Sequence, residues 1–301
     1  MRKLTPLLQV LIISFLCGCT APDKKTKIPQ NADLFETGNV HAVLTHERIK
    51  EASSLVASNR NPGLFWTHND SGDSPRLFLI NLQGDVVLEV ALQGPAHIDW
   101  EDLAIDGSDL YIADTGDNNA VRSAVQIYKI TEPQWDSLKI RDTVSVYQVM
   151  NLQYANGRRD VEALMIDPGN HALIMVTKRE VNCEIYTFPF QENTTPLKLQ
   201  PIGSLPMTLF NGGDIHLGTG EILLKNYTHI YYWKAGTESA AQRMKAGPDA
   251  SIPYIEEPQG EAIAWTPTGF ITLSELSKSK EQKFYTYLRK MPTSSGSPST
   301  H

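Results

Sequence analysis

The sequence is poor in cysteine. Three occur, at positions 17, 19 and 183, and the first two sit at the end of an N-terminal apolar run. If that run is an export signal, only Cys183 stays in the body, so no intramolecular disulfide can hold the fold. Cys183 lies in the strand-like alternation of residues 181–186, the setting of a buried small residue rather than a reactive thiol. Long hydrophobic runs are also missing, and no segment beyond residue 19 has the length and apolarity to cross a bilayer. Positive charge is short: the net charge is −7, or −9 once Arg2 and Lys3 leave with the first 18 residues. That balance argues against a nucleic-acid binder, which needs clustered Lys and Arg. No amphipathic helix-length pattern separates the apolar segments, which argues against a parallel-sheet fold. Catalytic templates are absent too: there is no Gly-x-Ser-x-Gly elbow, Walker loop, His-Glu-x-x-His pair or Cys-x-x-Cys.

What is present begins with an export signal. Met1-Arg2-Lys3 is a short positive region, followed by the apolar run of residues 7–16 and then Leu16-Cys17-Gly18-Cys19. This resembles a bacterial lipobox, which makes residues 1–18 a lipoprotein signal peptide and Cys19 the acylated first residue. Several acyl chains there would anchor the protein stably to a membrane. By the same resemblance, Thr20 in place of Asp directs it to the outer membrane. Residues 19–37 are polar and read as a tether. The tail, residues 291–301, is rich in Ser, Thr and Pro and reads as disordered.

Between them, residues 38–290 form a repeat. Asp99-Trp100-Glu101-Asp102-Leu103-Ala104-Ile105 returns as Asp160-Val161-Glu162-Ala163-Leu164-Met165-Ile166 and as Gln259-Gly260-Glu261-Ala262-Ile263-Ala264-Trp265. Weaker copies begin at Ser53 and Asn211. The aligned column reads Ser53, Glu101, Glu162, Gly213, Glu261. Steps of 48, 61, 51 and 48 residues are those of a propeller blade. Each motif leads a group of short strands separated by Gly, Pro, Asn and Asp. The fifth group lacks a fourth strand, and a spare strand at about residues 40–45 precedes the first. The expected fold is therefore an all-β, five-bladed propeller whose N-terminal strand closes the last blade. Six blades is the alternative, because the 61-residue step has room for extra strands. Trp66, Trp100, Trp233 and Trp265 fall in strands and should be core.

In such a ring the leading strands line the central channel. Glu101, Glu162 and Glu261 should then converge at one mouth, where three carboxylates without a counter-charge repel and raise each other's pKa. The second strands end in polar sets that supply candidates for the same mouth: His68 and Asn69, Lys178 and Arg179, Lys225, and Glu275. The lysines and arginine could pin the glutamates in ion pairs, a purely structural role. They could also grip a small anionic ligand. The loops Asp70-Ser71-Gly72-Asp73 and Asp114-Thr115-Gly116-Asp117 space oxygen ligands across a glycine in a way that suits Ca²⁺, with Asp70, Asp73, Asp114 and Asp117 as ligands. Asx-Gly turns also occur without metal.

The strings HNDSGDS, DWEDLAI, ADTGDNN, RDVEALMID, TKR and QGEAIA together resemble those of a family of secreted bacterial β-propeller proteins, often lipoproteins. The match runs from about Glu51 to Glu275. A looser similarity is to phytase-like and esterase-like propellers, in which a calcium-lined mouth handles phosphate. The resemblance implies fold and address and carries over no catalytic residue. Two functions follow as expectations. One is a monomeric, lipid-anchored binding module that holds a small ligand or an envelope protein at its charged mouth. The other is a calcium-assisted hydrolase of phosphate esters or lactones.

Overall fold

A computed structural model describes residues 28–145, 148–276 and 281–291. The residues read as a signal peptide, Cys19 and residues 292–301 of the expected tail lie outside the described residues. The chain opens with β1 (Asn39–Leu44). Blade one is built from β2 (Val56–Ala57), β3 (Leu64–Thr67), β4 (Arg76–Asn81) and β5 (Val86–Gln93). Then come β6 (Trp100–Asp106), β7 (Asp109–Asp114) and β8 (Val125–Thr131) of blade two, followed by β9 (Arg141–Ser145) and β10 (Gln148–Tyr154). Blade three holds β11 (Val161–Asp167), β12 (Ala172–Thr177) and β13 (Cys183–Pro189), with β14 (Leu197–Leu199) and β15 (Gly203–Leu205) after it. Blade four has β16 (Phe210–Ile215), β17 (Ile222–Asn226) and β18 (Ile230–Trp233), then the helix α1 (Ala240–Ala246) and β19 (Ala250–Ile252). Blade five has β20 (Gly260–Thr266), β21 (Gly269–Ser274) and β22 (Gln282–Leu288).

Five sheets result, and the last has the order β1-β22-β21-β20. The N-terminal strand thus closes the ring, as expected, and it pairs antiparallel with β22. Two outer strands depart from a simple four-strand count. β9 leaves blade two and runs parallel to β5 on the outer edge of blade one, and β14 likewise runs parallel to β10 of blade two. Residues 141–154 thus supply two strands to different blades, β9 to blade one and β10 to blade two. This extra crossover accounts for the 61-residue step without a sixth blade.

The apolar alternation of each strand feeds one of five cores, each wedged between neighbouring blades. Trp66 and Trp100 fill the core between blades one and two, and Trp265 joins Phe35, Phe270 and Tyr287 between blades four and five. Cys183 is buried between blades three and four. The stretch given to the tether is shorter than the sequence suggests. Gln30 bridges to Ser251, and Phe35 is fully buried edge-on to Phe270 at 5.0 Å. Leu34 packs on the same core as Phe35, and backbone bonds from Asn31 N–H to the Ser251 carbonyl and from Glu36 N–H to the Leu288 carbonyl help fasten the segment. Gly84 needs its φ of +86°, and its Cα faces the Val43 carbonyl so closely that a Cβ would lie 2.6 Å from it. Among the described residues no helix is long and apolar enough to cross a membrane.

Candidate functional site

Each full inner strand starts with a β-bulge. The register skips one residue between Trp100 and Asp102, between Val161 and Ala163, between Phe210 and Gly212, and between Gly260 and Ala262. A bulge re-aims the extra residue out of the ladder, and here it aims that residue at the channel mouth. The skipped residues are Glu101, Glu162, Asn211 and Glu261. Blade four's equivalent of the glutamates is therefore Asn211, two residues before the Gly213 that sequence alignment selected. Gly213 is interior packing, since a Cβ there would lie 2.8 Å from Met165 Sδ.

The three glutamates converge, each at most 5% exposed. Their neighbours complete three overlapping groups, each with carboxylate oxygens within 4.8 Å of one another: Asp70–Asp99–Glu101, Asp70–Glu261–Glu275, and Glu101–Asp160–Glu162. Internal cations serve only part of this set. Lys178 contacts Glu162 and lies 3.6 Å from Glu261, whose Oε1 also accepts the Tyr227 hydroxyl at 2.6 Å. Arg179 pairs with Asp160. Asp70, Asp99 and Glu101 make no ion pair among the described residues, and the Glu101 carboxylate has no hydrogen-bond donor there either.

The titration of these groups follows. Burial, then Glu162 and Asp70, pushes Glu101 well above the usual carboxylate range. Burial and the Asp70 charge push Asp99 up to about 7, and burial with Glu261 pushes Glu275 up to about 8. Asp70 is raised by burial and by Glu261. Burial works to lower the Lys178 pKa, but Glu162 and Glu261 together hold it above the ordinary lysine value. The cluster thus carries repulsion that its own cations do not cancel.

A small cation fits this arrangement. Oxygens that share one Ca²⁺, each at ~2.3–2.6 Å from it, lie no more than about 5 Å apart, and those of each group here lie within 4.8 Å of one another. Gly116 makes the cradle: a Cβ on it would lie 2.0 Å from Glu101 Oε1 and 2.6 Å from Asp99 Oδ2. The Asp-Thr-Gly-Asp loop contributes its glycine to the site rather than its aspartates. Asp114 is buried and paired with Arg122 at 2.7 Å. Asp117 accepts the backbone N–H groups of Val121 and Arg122 and so shapes its own loop. Asp73 is tied to Arg76 and Asn69. Of the four expected metal ligands only Asp70 joins the cluster.

Several other expected ligand contacts are structural. Asn69 staples its loop, accepting from Lys50 and Glu51 and donating to the Arg48 carbonyl and to Asp73. His68 is fully buried, with its ring edge-on to Trp100 at 5.6 Å. Burial lowers its pKa to about 3. Lys225 is also fully buried and donates to Asn211 Oδ1 at 3.2 Å and to the Gly260 carbonyl, which fixes the bulge that carries Glu261. Burial lowers its pKa to about 8. Lys178, Arg179 and Lys225 therefore all have internal partners, Lys178 and Lys225 buried and Arg179 with its side chain 44% exposed.

The residues that sequence reasoning passed over are Asp99, Asp160 and Tyr227. The first two were legible: each stands two residues before a bulge glutamate in the repeated motif, as Asp-Trp-Glu and Asp-Val-Glu. Nothing in the sequence ties Tyr227 to Glu261. At the far end of the channel the chemistry changes. A cleft of about 290 Å³ there is lined by Val56, Ile105, Ile215, His216 and Trp265 among others, with none of the ring carboxylates.

No family model matches the sequence, and no curated protein matches it significantly. Among solved structures, the glutaminyl cyclase of Myxococcus xanthus superposes with a TM-score of 0.51 at 12% identity, over 87% of this chain and 100% of that one. A gluconolactonase from Xanthomonas campestris superposes with a TM-score of 0.47 at 10% identity, over 87% of this chain and 97% of that one. At such identities the likeness speaks for the fold alone: the chain is a five-bladed β-propeller.

Proposed function

We propose that this protein is a cation-dependent binding module, lipid-anchored in the cell envelope through Cys19. Its mouth binds one divalent cation, with Ca²⁺ suited by the all-carboxylate donor set, at Asp70, Asp99 and Glu101. The observation that carries this reading is the Glu101 carboxylate: 3% exposed, within 4.8 Å of carboxylate oxygens of Asp70, Asp99, Asp160 and Glu162, and without a donor or counter-ion among the described residues. A buried charge in that position is costly unless an ion compensates it. Three protein carboxylates leave coordination positions for the oxygens of a small anionic ligand or of a partner protein's side chain. The test is calorimetric titration of the chelator-treated protein with Ca²⁺, Mg²⁺ and Zn²⁺. Saturable Ca²⁺ binding that Glu101→Gln abolishes supports the reading; no binding of any of the three ions sinks it.

One observation favours a second reading, cation-assisted hydrolysis of phosphate esters or lactones. Asp99 sits in the same triad and is part-exposed, so its carboxylate can face a substrate held at the mouth, as a general base must. A phosphatase and esterase panel run with and without chelator tests it, and turnover unaffected by Asp99→Asn removes it.

A further inference from the structure

The carboxylates follow one another around the axis, with Asp70 from blade one, Glu101 from blade two, Glu162 from blade three and Glu261 from blade five. Blade four breaks the sequence. Its bulge residue is the neutral Asn211, whose amide donates to the Gly260 carbonyl at 3.1 Å. The gap this leaves between Glu162 and Glu261 is filled by an ammonium. Lys178 leaves the end of β12 and places its Nζ against Glu162, 3.6 Å from Glu261 and 5.3 Å from the centre of the Tyr227 ring. Its backbone is pinned between blades three and four. The Lys178 N–H donates to the Asp160 carbonyl at 2.9 Å, and the Lys178 carbonyl accepts from Leu209 N–H at 2.7 Å and Thr208 Oγ1 at 3.1 Å. The side chain is only 8% exposed. The ammonium is therefore a non-exchangeable cation held within a cation-binding ring.

We infer that Lys178 is the mouth's built-in counter-cation, and that by occupying the sector between Glu162 and Glu261 it limits the mouth to one exchangeable divalent cation. This rests on the cation-binding reading above. Two of the three carboxylate groups contain a partner of Lys178, so only Asp70–Asp99–Glu101 is left uncompensated. Removing the ammonium leaves Glu162 and Glu261 without their ion-pair partner, with only the more distant charges of Arg179 and Lys225 acting on them, the condition under which a second divalent ion is drawn in.

The experiment counts Ca²⁺ bound per full-length chain in detergent micelles, by calorimetry and by equilibrium dialysis. Wild type should bind one ion, Lys178→Arg one, and Lys178→Met and Lys178→Gln two. Thermal unfolding of each variant confirms that it is folded before binding is read. Where wild type binds one ion, one ion in a folded Lys178→Met or Lys178→Gln overturns the inference, and so does a second ion in wild type. If neither charge-removing variant folds, the wild-type count still decides: one ion supports, two overturn. The two readings fail differently. No binding by wild type together with one ion in Lys178→Gln supports the role of Lys178 while removing the cation from the native mouth. No binding by either protein removes both.

Discussion

Gly116→Ala separates the site from the fold. The φ at Gly116 is not among the left-handed ones, so alanine meets no backbone strain there. What it meets is the site. The new Cβ would lie 2.0 Å from Glu101 Oε1, whereas ordinary contact begins at 3.4 Å, so the carboxylate must retreat by about 1.4 Å. Asp99 Oδ2, 2.6 Å away, must also retreat, by about 0.8 Å. A calcium–oxygen bond tolerates roughly 0.3 Å. The cation therefore loses Glu101 as a ligand. One charge-assisted contact is worth about 1.5–3 kcal/mol, so Ca²⁺ affinity should fall by roughly 10- to 150-fold. The cation-free protein should melt within about 2 °C of wild type, because moving one carboxylate outward also relieves repulsion. The assay is calorimetric Ca²⁺ titration, paired with thermal unfolding in chelator. Undiminished Ca²⁺ affinity in a folded Gly116→Ala protein would refute the assignment of Glu101 as a ligand.

Other consequences can be measured independently. In chelator, the melting temperature should fall as pH rises from about 6.5 to 8. Asp99 and Glu275 have folded pKa values raised to about 7 and about 8, so the folded state holds protons that the unfolded chain has released, and stability is lost as pH passes through those values. The lowered carboxyls of Asp73, Glu184 and Glu221 act below this window, and His68, lowered to about 3, has no further effect once the unfolded imidazole is neutral. Asp214 and Glu257, outside the carboxylate groups and also raised to about 7 by burial, add to the decline, so saturating Ca²⁺ should shrink it without abolishing it, and a flat profile without Ca²⁺ would contradict the electrostatic account. Phe35→Ala should cost about 3–5 kcal/mol, which is 6 °C or more of melting temperature in a domain this size. A neutral result would return residues 30–37 to the tether. Cys19→Ala should move the protein from the membrane pellet to the soluble fraction, and continued pelleting would remove the anchor.

The ring, its closure by β1 and the convergence of Glu101, Glu162 and Glu261 were legible in the sequence, because each depends on a local pattern that recurs. Strand period, turn residues and an acid at a fixed place in each unit all survive without knowledge of partners. What was not legible depends on pairing. β9 and β14 read as continuations of their own blades, since nothing in residues 141–145 or 197–199 states which edge they will join. Asn211 was passed over for the same reason. Apolar similarity aligned Gly213 with the glutamates, whereas the bulge that defines the position is a property of two strands together, visible only once Phe210 is seen opposite Asn226 and Gly212 opposite Lys225. That two-residue difference changes the chemistry. With Gly213 in the column, blade four contributes empty space to the mouth. With Asn211 there, blade four contributes a neutral amide tied to Lys225 and the Gly260 carbonyl, and the negative ring is left open on one side. The opening has the size and sign for one ammonium, and Lys178 fills it. The three lysine and arginine side chains that look from sequence like an anion grip are thus divided by the bulge geometry into a brace beneath Glu261, a partner for Asp160 and an ammonium between Glu162 and Glu261, leaving Asp70, Asp99 and Glu101 as the part of the mouth that no ion pair compensates among the described residues.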